Sequence, residues 1–308
     1  MIFSYKIPVL IGATGTGKSA LAYELSQRLN THIVSVDAFQ IYKGVEIGTG
    51  QPPLLWKEKV SHHFIASVSL PENWSAGLFV SQALHRIRQL QQQNQKVILV
   101  GGAGFYLKSL IEGVDPTSLS NSNIRYWIHQ EVLRLGSSRA HDWLRALNQT
   151  TALKIHPNDA YRISRALEKY FGSTSIQEPV EKLGSENVIF IGLKKKQKQL
   201  DLDIKDRILW MWKNGLILET QNLINSNIPR DHMIWKAIGY RETEMYLKRE
   251  INEAEALNLI YTRTHQYSKR QQTWFRHQHS AINWLDVPSQ ENVKDLIPFV
   301  LKILGVKT

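Results

Sequence analysis

The chain has 308 residues, 43% hydrophobic and 21% charged, a balance that excludes wholesale disorder and collagen-like or coiled-coil architectures. It has no cysteine, so disulfides, thiolate metal sites and cysteine nucleophiles are excluded too. Lys and Arg number 38 against 27 Asp and Glu, a net charge of +11, and a field of that sign attracts polyanions such as nucleic acid.

The longest apolar runs, such as Pro8 to Ile11 and Val97 to Val100, fall far short of the roughly 20 residues a membrane helix needs. The N-terminus shows no long apolar stretch of the signal-peptide kind, and Lys18 interrupts the one candidate. A cytoplasmic protein without a membrane partner is expected, and a monomer.

Tyr5 to Ile11 reads as a short buried strand, Gly12 to Ser19 as a glycine-punctuated turn, and Ala20 to Leu29 as a helix with Leu21, Leu25 and Leu29 on one face. His32 to Val36 is a second strand, ending at Asp37. Ser75 fits the N-cap of a helix reaching about Gln93, with Phe79, Ala83, Ile87 and Leu90 as its core stripe. Lys96 to Val100 is a third strand, running into Gly101-Gly102-Ala103-Gly104. Strand–turn–helix units in this order predict an α/β fold, a parallel sheet with helices on both faces.

Val114 to Asn123, rich in Ser, Asn, Asp and Pro, then reads as a loop. Helical stretches follow around Trp127, Val132 and Leu133, and around Ile163, Ala166, Leu167 and Tyr170. Gly172 to Asn187 is loop-like, and Asn187 to Leu193 returns as a buried strand. The pattern predicts a core made of residues 1–114 and 184–308, with a helical insertion over 115–183. The remainder reads as mostly helical, ending in a long segment from about Asn252 to His279.

Gly12-Ala13-Thr14-Gly15-Thr16-Gly17-Lys18-Ser19 matches G-x-x-x-x-G-K-[ST] in full. Glycines let backbone amides curl around phosphate oxygens, and the following helix turns its partial positive end toward them. Lys18 adds a mobile charge, and the Ser19 hydroxyl can hold Mg²⁺. The loop does not say which phosphate ester binds. The third strand lacks the terminal Asp of a Walker B segment. Asp37 stands at the carboxyl end of a strand, where open α/β sheets place ligands. It can hold a metal through water, take a proton from a nucleophile, or simply cap the turn at Ala38.

Late in the chain Arg263, Arg270 and His277 recur every seven residues, flanked by Lys269 and Arg276 and interleaved with Tyr267, Trp274 and Phe275. Such a stripe can track an RNA backbone or be an ordinary amphipathic surface.

Taken with the phosphate loop, these segments resemble the bacterial tRNA dimethylallyltransferases, the tRNA isopentenyltransferase family with its P-loop NTPase-like core. The similarity runs through SVDAFQIYKGVEIGTGQP at 35–52, HHF at 62–64, WSAGLF at 74–79 and ILVGGAGFYLKSLIEG at 98–113. HPNDAYRISRALEKY at 156–170, KAIGYRE at 236–242 and SKRQQTWFRHQ at 268–278 follow in family order. The resemblance implies transfer of a dimethylallyl group from dimethylallyl diphosphate to N6 of the adenosine just 3′ of a tRNA anticodon, in tRNAs reading codons that begin with U. It implies that Gly12 to Ser19 holds the diphosphate, with Lys18 catalytic, Mg²⁺ at Ser19, and Arg207 as a second phosphate contact. Asp37 becomes the base that takes the N6 proton. Asp37, Ala38, Phe39 and Gln40, together with Ala103, fall at positions that contact the target nucleotide. Arg125 and the run Tyr161, Arg162, Ile163, Ser164 and Arg165 fall at further tRNA-contacting positions, and the insertion is expected to clamp the tRNA arm.

Five positions depart from the family pattern. Ala103 replaces the usual Thr of the Gly-Gly-Thr-Gly turn, removing a hydrogen bond of about 1.5–3 kcal/mol to the diphosphate. Ala38 replaces a Ser, Gln51 a basic residue, and Asp203 and Asp206 stand where basic residues are common. From the sequence alone, a P-loop small-molecule kinase and a tRNA-binding homologue with impaired catalysis remain alternatives.

Overall fold

The computed structural model describes residues 5–113, 122–172, 181–278, 281–287 and 293–306. The chain divides into two compact units, Met1–Glu112 with Leu183–Thr308, and Gly113–Lys182.

The larger unit is built on six parallel strands. They are β1 (Ile7–Gly12), β2 (Thr31–Val36), β3 (His62–His63), β4 (Lys96–Gly101), β5 (Val188–Lys194) and β6 (Ile282–Asp286), in spatial order β3-β2-β4-β1-β5-β6. β1 is buried at every position, as expected of a strand covered on both faces. It pairs with β4 through Val9–Leu99 and with β5 through Val9–Phe190. From β1 the chain travels toward β2, and from β4 it returns across to β5. The crevice beyond the carboxyl ends of β1 and β4 is therefore a topological switch point, where such sheets bind ligands.

Helices α1 (Lys18–Leu29), α2 (Leu54–Lys59), α3 (Ala76–Gln92) and α4 (Gly104–Glu112) belong to the first half of this unit. Ser75 caps α3 by accepting from Leu78 N, and Phe79, Ala83, Ile87 and Leu90 are all buried. α1 packs Leu21 and Leu25 into a core shared with Leu10, Ile98 and Ile191.

The smaller unit comprises α5 (Ser122–Leu135), α6 (Ser137–Leu147), α7 (Gln149–Ala152) and α8 (Ala160–Gly172). Its core joins Ile128, Val132, Ala140, Leu144, Ile163 and Leu167. Trp127, Trp143 and Phe171 meet at ring separations of 5.3 to 5.9 Å.

The larger unit resumes with α9 (Gln197–Met211), α10 (Ile217–Asn225), α11 (Tyr240–Leu247), α12 (Glu253–Gln278) and α13 (Ile297–Ile303). Ile204, Ile208, Trp212, Tyr240 and Ile260 form a second core with Ile41 and Tyr42 from the segment after β2. No helix among the described residues is long and apolar enough to cross a membrane.

Several boundaries differ from the sequence reading. β3 has two residues and β6 is a half-exposed strand, so neither presents the continuous apolar run that marks a buried strand. Of the expected loop at 114–123, residues 114–121 lie outside the described residues, while Ser122 and Asn123 begin α5. Of the expected loop at 172–187, residues 173–180 lie outside the described residues, Gly172 closes α8, and Ser185–Asn187 forms a 3₁₀ turn.

Candidate active site

Gly12 to Ser19 joins β1 to α1. Gly15 and Gly17 take φ of 85° and 86°, a left-handed backbone that glycine adopts without a Cβ penalty. Thr16 is buried and donates to Ala13 O at 2.9 Å, closing the loop from behind. Lys18 Nζ donates to the same carbonyl at 2.7 Å. Ser19 is exposed in the first turn of α1.

A cavity of about 1210 Å³ opens in front of this loop. Its lining includes Lys18, Asp37, Phe39, Gln40, Arg207 and Tyr267. Asp37 follows β2 and folds an Asx turn, its Oδ1 accepting from Phe39 N at 2.8 Å and Gln40 N at 3.2 Å. Burial pushes its carboxyl above the ordinary range, opposed by those two amides and by Lys18 and Arg207. Burial, reinforced by Arg207 and opposed by Asp37, pushes Lys18 down to about 7. Arg207 reaches from α9 to the phosphate loop, its Nη1 donating to Thr14 Oγ1 at 3.3 Å. Two cations and a basic carboxylate thus share one cavity, which suits a polyanion on one side and a proton donor on the other.

Among the described residues no group of three His, Asp or Glu side chains could hold a metal. Ser19 with an anionic ligand is a donor set for an oxygen-loving divalent ion that arrives with a diphosphate. The described residues alone do not form a cage for one.

Helix α12 contributes Gln271, whose Oε1 accepts from Thr14 N at 2.8 Å while its Nε2 donates to Gly102 O at 2.9 Å. Tyr267 lies one turn earlier, its hydroxyl pushed upward by burial and by Asp37.

A family model described as IPP transferase matches residues 40–278. The chain belongs to the IPP transferase family. A tRNA dimethylallyltransferase of Dictyoglomus turgidum is 35% identical over 304 residues, covering 96% of this chain and 92% of that protein. One from Geobacter metallireducens is 32% identical over 290 residues, covering 92% and 94%. Among solved structures, the full-length tRNA isopentenylpyrophosphate transferase of Bacillus halodurans superposes with a TM-score of 0.70 at 29% identity, covering 98% of this chain and 97% of that one. A eukaryotic dimethylallyltransferase acting on tRNA reaches a TM-score of 0.80 at 24% identity, covering 99% and 81%, which is a likeness of fold.

With membership in the IPP transferase family shown, the kinase alternative falls away. The sequence-marked residues at 12–19, 37–40, 103 and 207 all belong to the larger unit. Gln40 lines the cavity, yet its amide is engaged by Gly50 O at 3.0 Å and by Ser35 Oγ at 3.2 Å. Ala103 precedes α4 and offers only a methyl group. Two threonine hydroxyls stand in the phosphate loop: Thr14 meets Arg207, while Thr16 is turned inward.

In the smaller unit Arg125, Tyr161 and Arg162 are exposed. Of the other expected contacts there, Ile163 is fully buried in the helical core, and Ser164 is buried with its Oγ donating to Ala160 O. Neither side chain faces solvent. Arg165 is paired with the buried Glu168.

Asp203, one of the departures from the family pattern, has its charge met within the fold. The fully buried Lys195 pairs with it, and Gln199 Nε2 donates to its second oxygen at 3.0 Å. The stripe on α12 is narrower than the spacing implied. Phe275 is core, and Arg263 is paired with the buried Glu242. Gln271 and Lys195 escaped the sequence reading because an uncharged amide inside a basic run, or one lysine of three in Lys194-Lys195-Lys196, gives no local signal of burial.

Proposed function

We propose that this chain is a tRNA dimethylallyltransferase. It moves the dimethylallyl group of dimethylallyl diphosphate to N6 of the adenosine immediately 3′ of the anticodon. The observation that carries the reading is the convergence of Lys18, Arg207 and Asp37 on one cavity in an IPP transferase.

The phosphate-loop amides, Lys18 and Arg207 hold the diphosphate and stabilise the charge that grows on it as the allylic C–O bond breaks. The N6 lone pair attacks the allylic carbon, forming the C–N bond. The amine gives its proton to the Asp37 carboxylate, which its raised affinity equips it to accept. Phe39 supplies an apolar flank for the base or the prenyl group, and the target adenine leaves its stack to reach the cavity. Mg²⁺ bound at Ser19 and the diphosphate oxygens would add charge neutralisation of the leaving group. Arg125, Tyr161, Arg162 and Arg165 of the helical unit grip the anticodon arm, chiefly through its phosphates. The enzyme works as a cytoplasmic monomer.

The test is transfer of label from dimethylallyl diphosphate, with Mg²⁺, to an unmodified tRNA carrying adenosine 3′ of its anticodon. Label in that nucleoside is expected. Binding of tRNA without label would leave a non-catalytic RNA-binding homologue.

A further inference from the structure

Glu219 does not line the cavity, and no step of the transfer uses it. It sits on α10, buried, and it gathers three donors from distant parts of the chain. Its Oε2 accepts from Ile47 N at 2.8 Å. Its Oε1 accepts from Gly48 N at 2.7 Å and from the Tyr240 hydroxyl at 2.7 Å. Tyr240 is itself fully buried at the start of α11 and lies 3.2 Å from Val45 O. This gives KAIGYRE, a motif without a role in the chemistry above, a physical task.

The segment so held is a wall of the cavity: Gly48 to Pro52 line it. Gly50 lies against the Arg207 guanidinium with no room for a Cβ between them. Gln40 Nε2 donates to Gly50 O, and Gln51 Nε2 donates back to Gln40 O and Tyr42 O, each at 2.9 Å. One buried carboxylate therefore fixes a loop whose far side supports both Arg207 and the turn that carries Asp37.

We propose that Glu219 and Tyr240 are positioning residues for the diphosphate site, acting through the 47–50 loop on Arg207. This rests on the reading of Arg207 as a diphosphate contact. A buried carboxylate that accepts several backbone amides holds them more strongly than neutral acceptors do. Loosening the loop would therefore free the guanidinium before it disturbed the sheet.

The test uses the full chain with Glu219→Gln and Tyr240→Phe. The readouts are amide exchange at residues 45–51, calorimetric binding of inorganic diphosphate, and KM for dimethylallyl diphosphate set against kcat. In Glu219→Gln the amides of Ile47 and Gly48 should exchange faster while those of β1 and β4 stay protected. The diphosphate Kd and the KM should rise about tenfold, the loss of one good hydrogen bond, with kcat less affected. Tyr240→Phe keeps the carboxylate and removes one donor, so it carries the test if the first variant does not fold, with the same pattern at smaller size. Faster loop exchange with wild-type Kd and KM, or unchanged exchange in either folded variant, would overturn the positioning role alone. A wild-type chain that binds no diphosphate would overturn the parent reading, and this role with it.

Discussion

The side chain of Gln271 accepts a hydrogen bond from the backbone of Thr14 at 2.8 Å, 257 positions away in sequence. With its other end on Gly102 O at 2.9 Å, it ties the two glycine turns of the switch point to helix α12. The spacing between the phosphate loop and the turn after β4 is thus set by a buried amide on a helix that arrives late in the chain.

Gln271→Ala should leave Thr14 N and Gly102 O without this partner. One partly buried and one buried backbone group losing their hydrogen bonds should cost about 1–3 kcal/mol of stability, read from urea unfolding. The diphosphate affinity should fall as well, because the loop loses its fixed geometry. A variant with wild-type stability and affinity would show that the bridge is incidental.

Lys18 has a proton affinity near neutrality because burial, with Arg207 behind it, works against its charge. A bound diphosphate favours the charged form, so binding above about pH 7 should take up a proton at Lys18. The affinity should then weaken as pH rises, and below that value the lysine is already protonated and no uptake is expected from it. Calorimetry in buffers of different ionisation enthalpy measures the uptake. Lys18→Met should remove this component, and equal uptake in both proteins would place it elsewhere.

Lys195 and Asp203 form a pair in which the lysine side chain has no exposed surface and the aspartate keeps 11%. Removing one partner strands the other, so Lys195→Met should lose about 3 kcal/mol. Combining it with Asp203→Leu should recover most of that loss, since replacing both members of a buried pair is often nearly neutral. A double variant as unstable as the single one would mean that the lysine matters for something other than its partner.

The strands β1, β2, β4 and β5 and the cap at Ser75 were legible in the sequence because each is a local signal. The strands are continuous apolar runs between turn residues, and the cap is a short polar side chain ahead of a helical stripe. The phosphate loop was legible for the same reason, since its glycines and Lys18 sit within eight positions. β6 was not, because an edge strand reading Ile-Asn-Trp-Leu-Asp is only half-buried and has no run to detect. The surroundings of Asp203 were not legible in the sequence. Asp203 stands where basic residues are common, and only the fold brings Lys195 to pair with it. Glu219 was invisible for a related reason, as its three donors come from residues 47, 48 and 240. Ile163 shows the converse: a motif match placed it among RNA contacts, and helical periodicity turns it inward beside Leu167.

Asp37 bears most directly on the proposed chemistry. Asp37→Asn keeps an oxygen for the Phe39 and Gln40 amides and therefore keeps the turn. The measurement is single-turnover transfer of the dimethylallyl group to N6 across a pH series, with tRNA and diphosphate binding measured alongside. In the wild type the rate should fall as pH drops through the Asp37 pKa, at a pH above the ordinary carboxylate range because burial raises it. In the variant, binding should be retained, the transfer rate should drop about 100-fold or more, and the acid limb should disappear. A variant that transfers the group at the wild-type rate, with the same acid limb, would contradict Asp37 as the base.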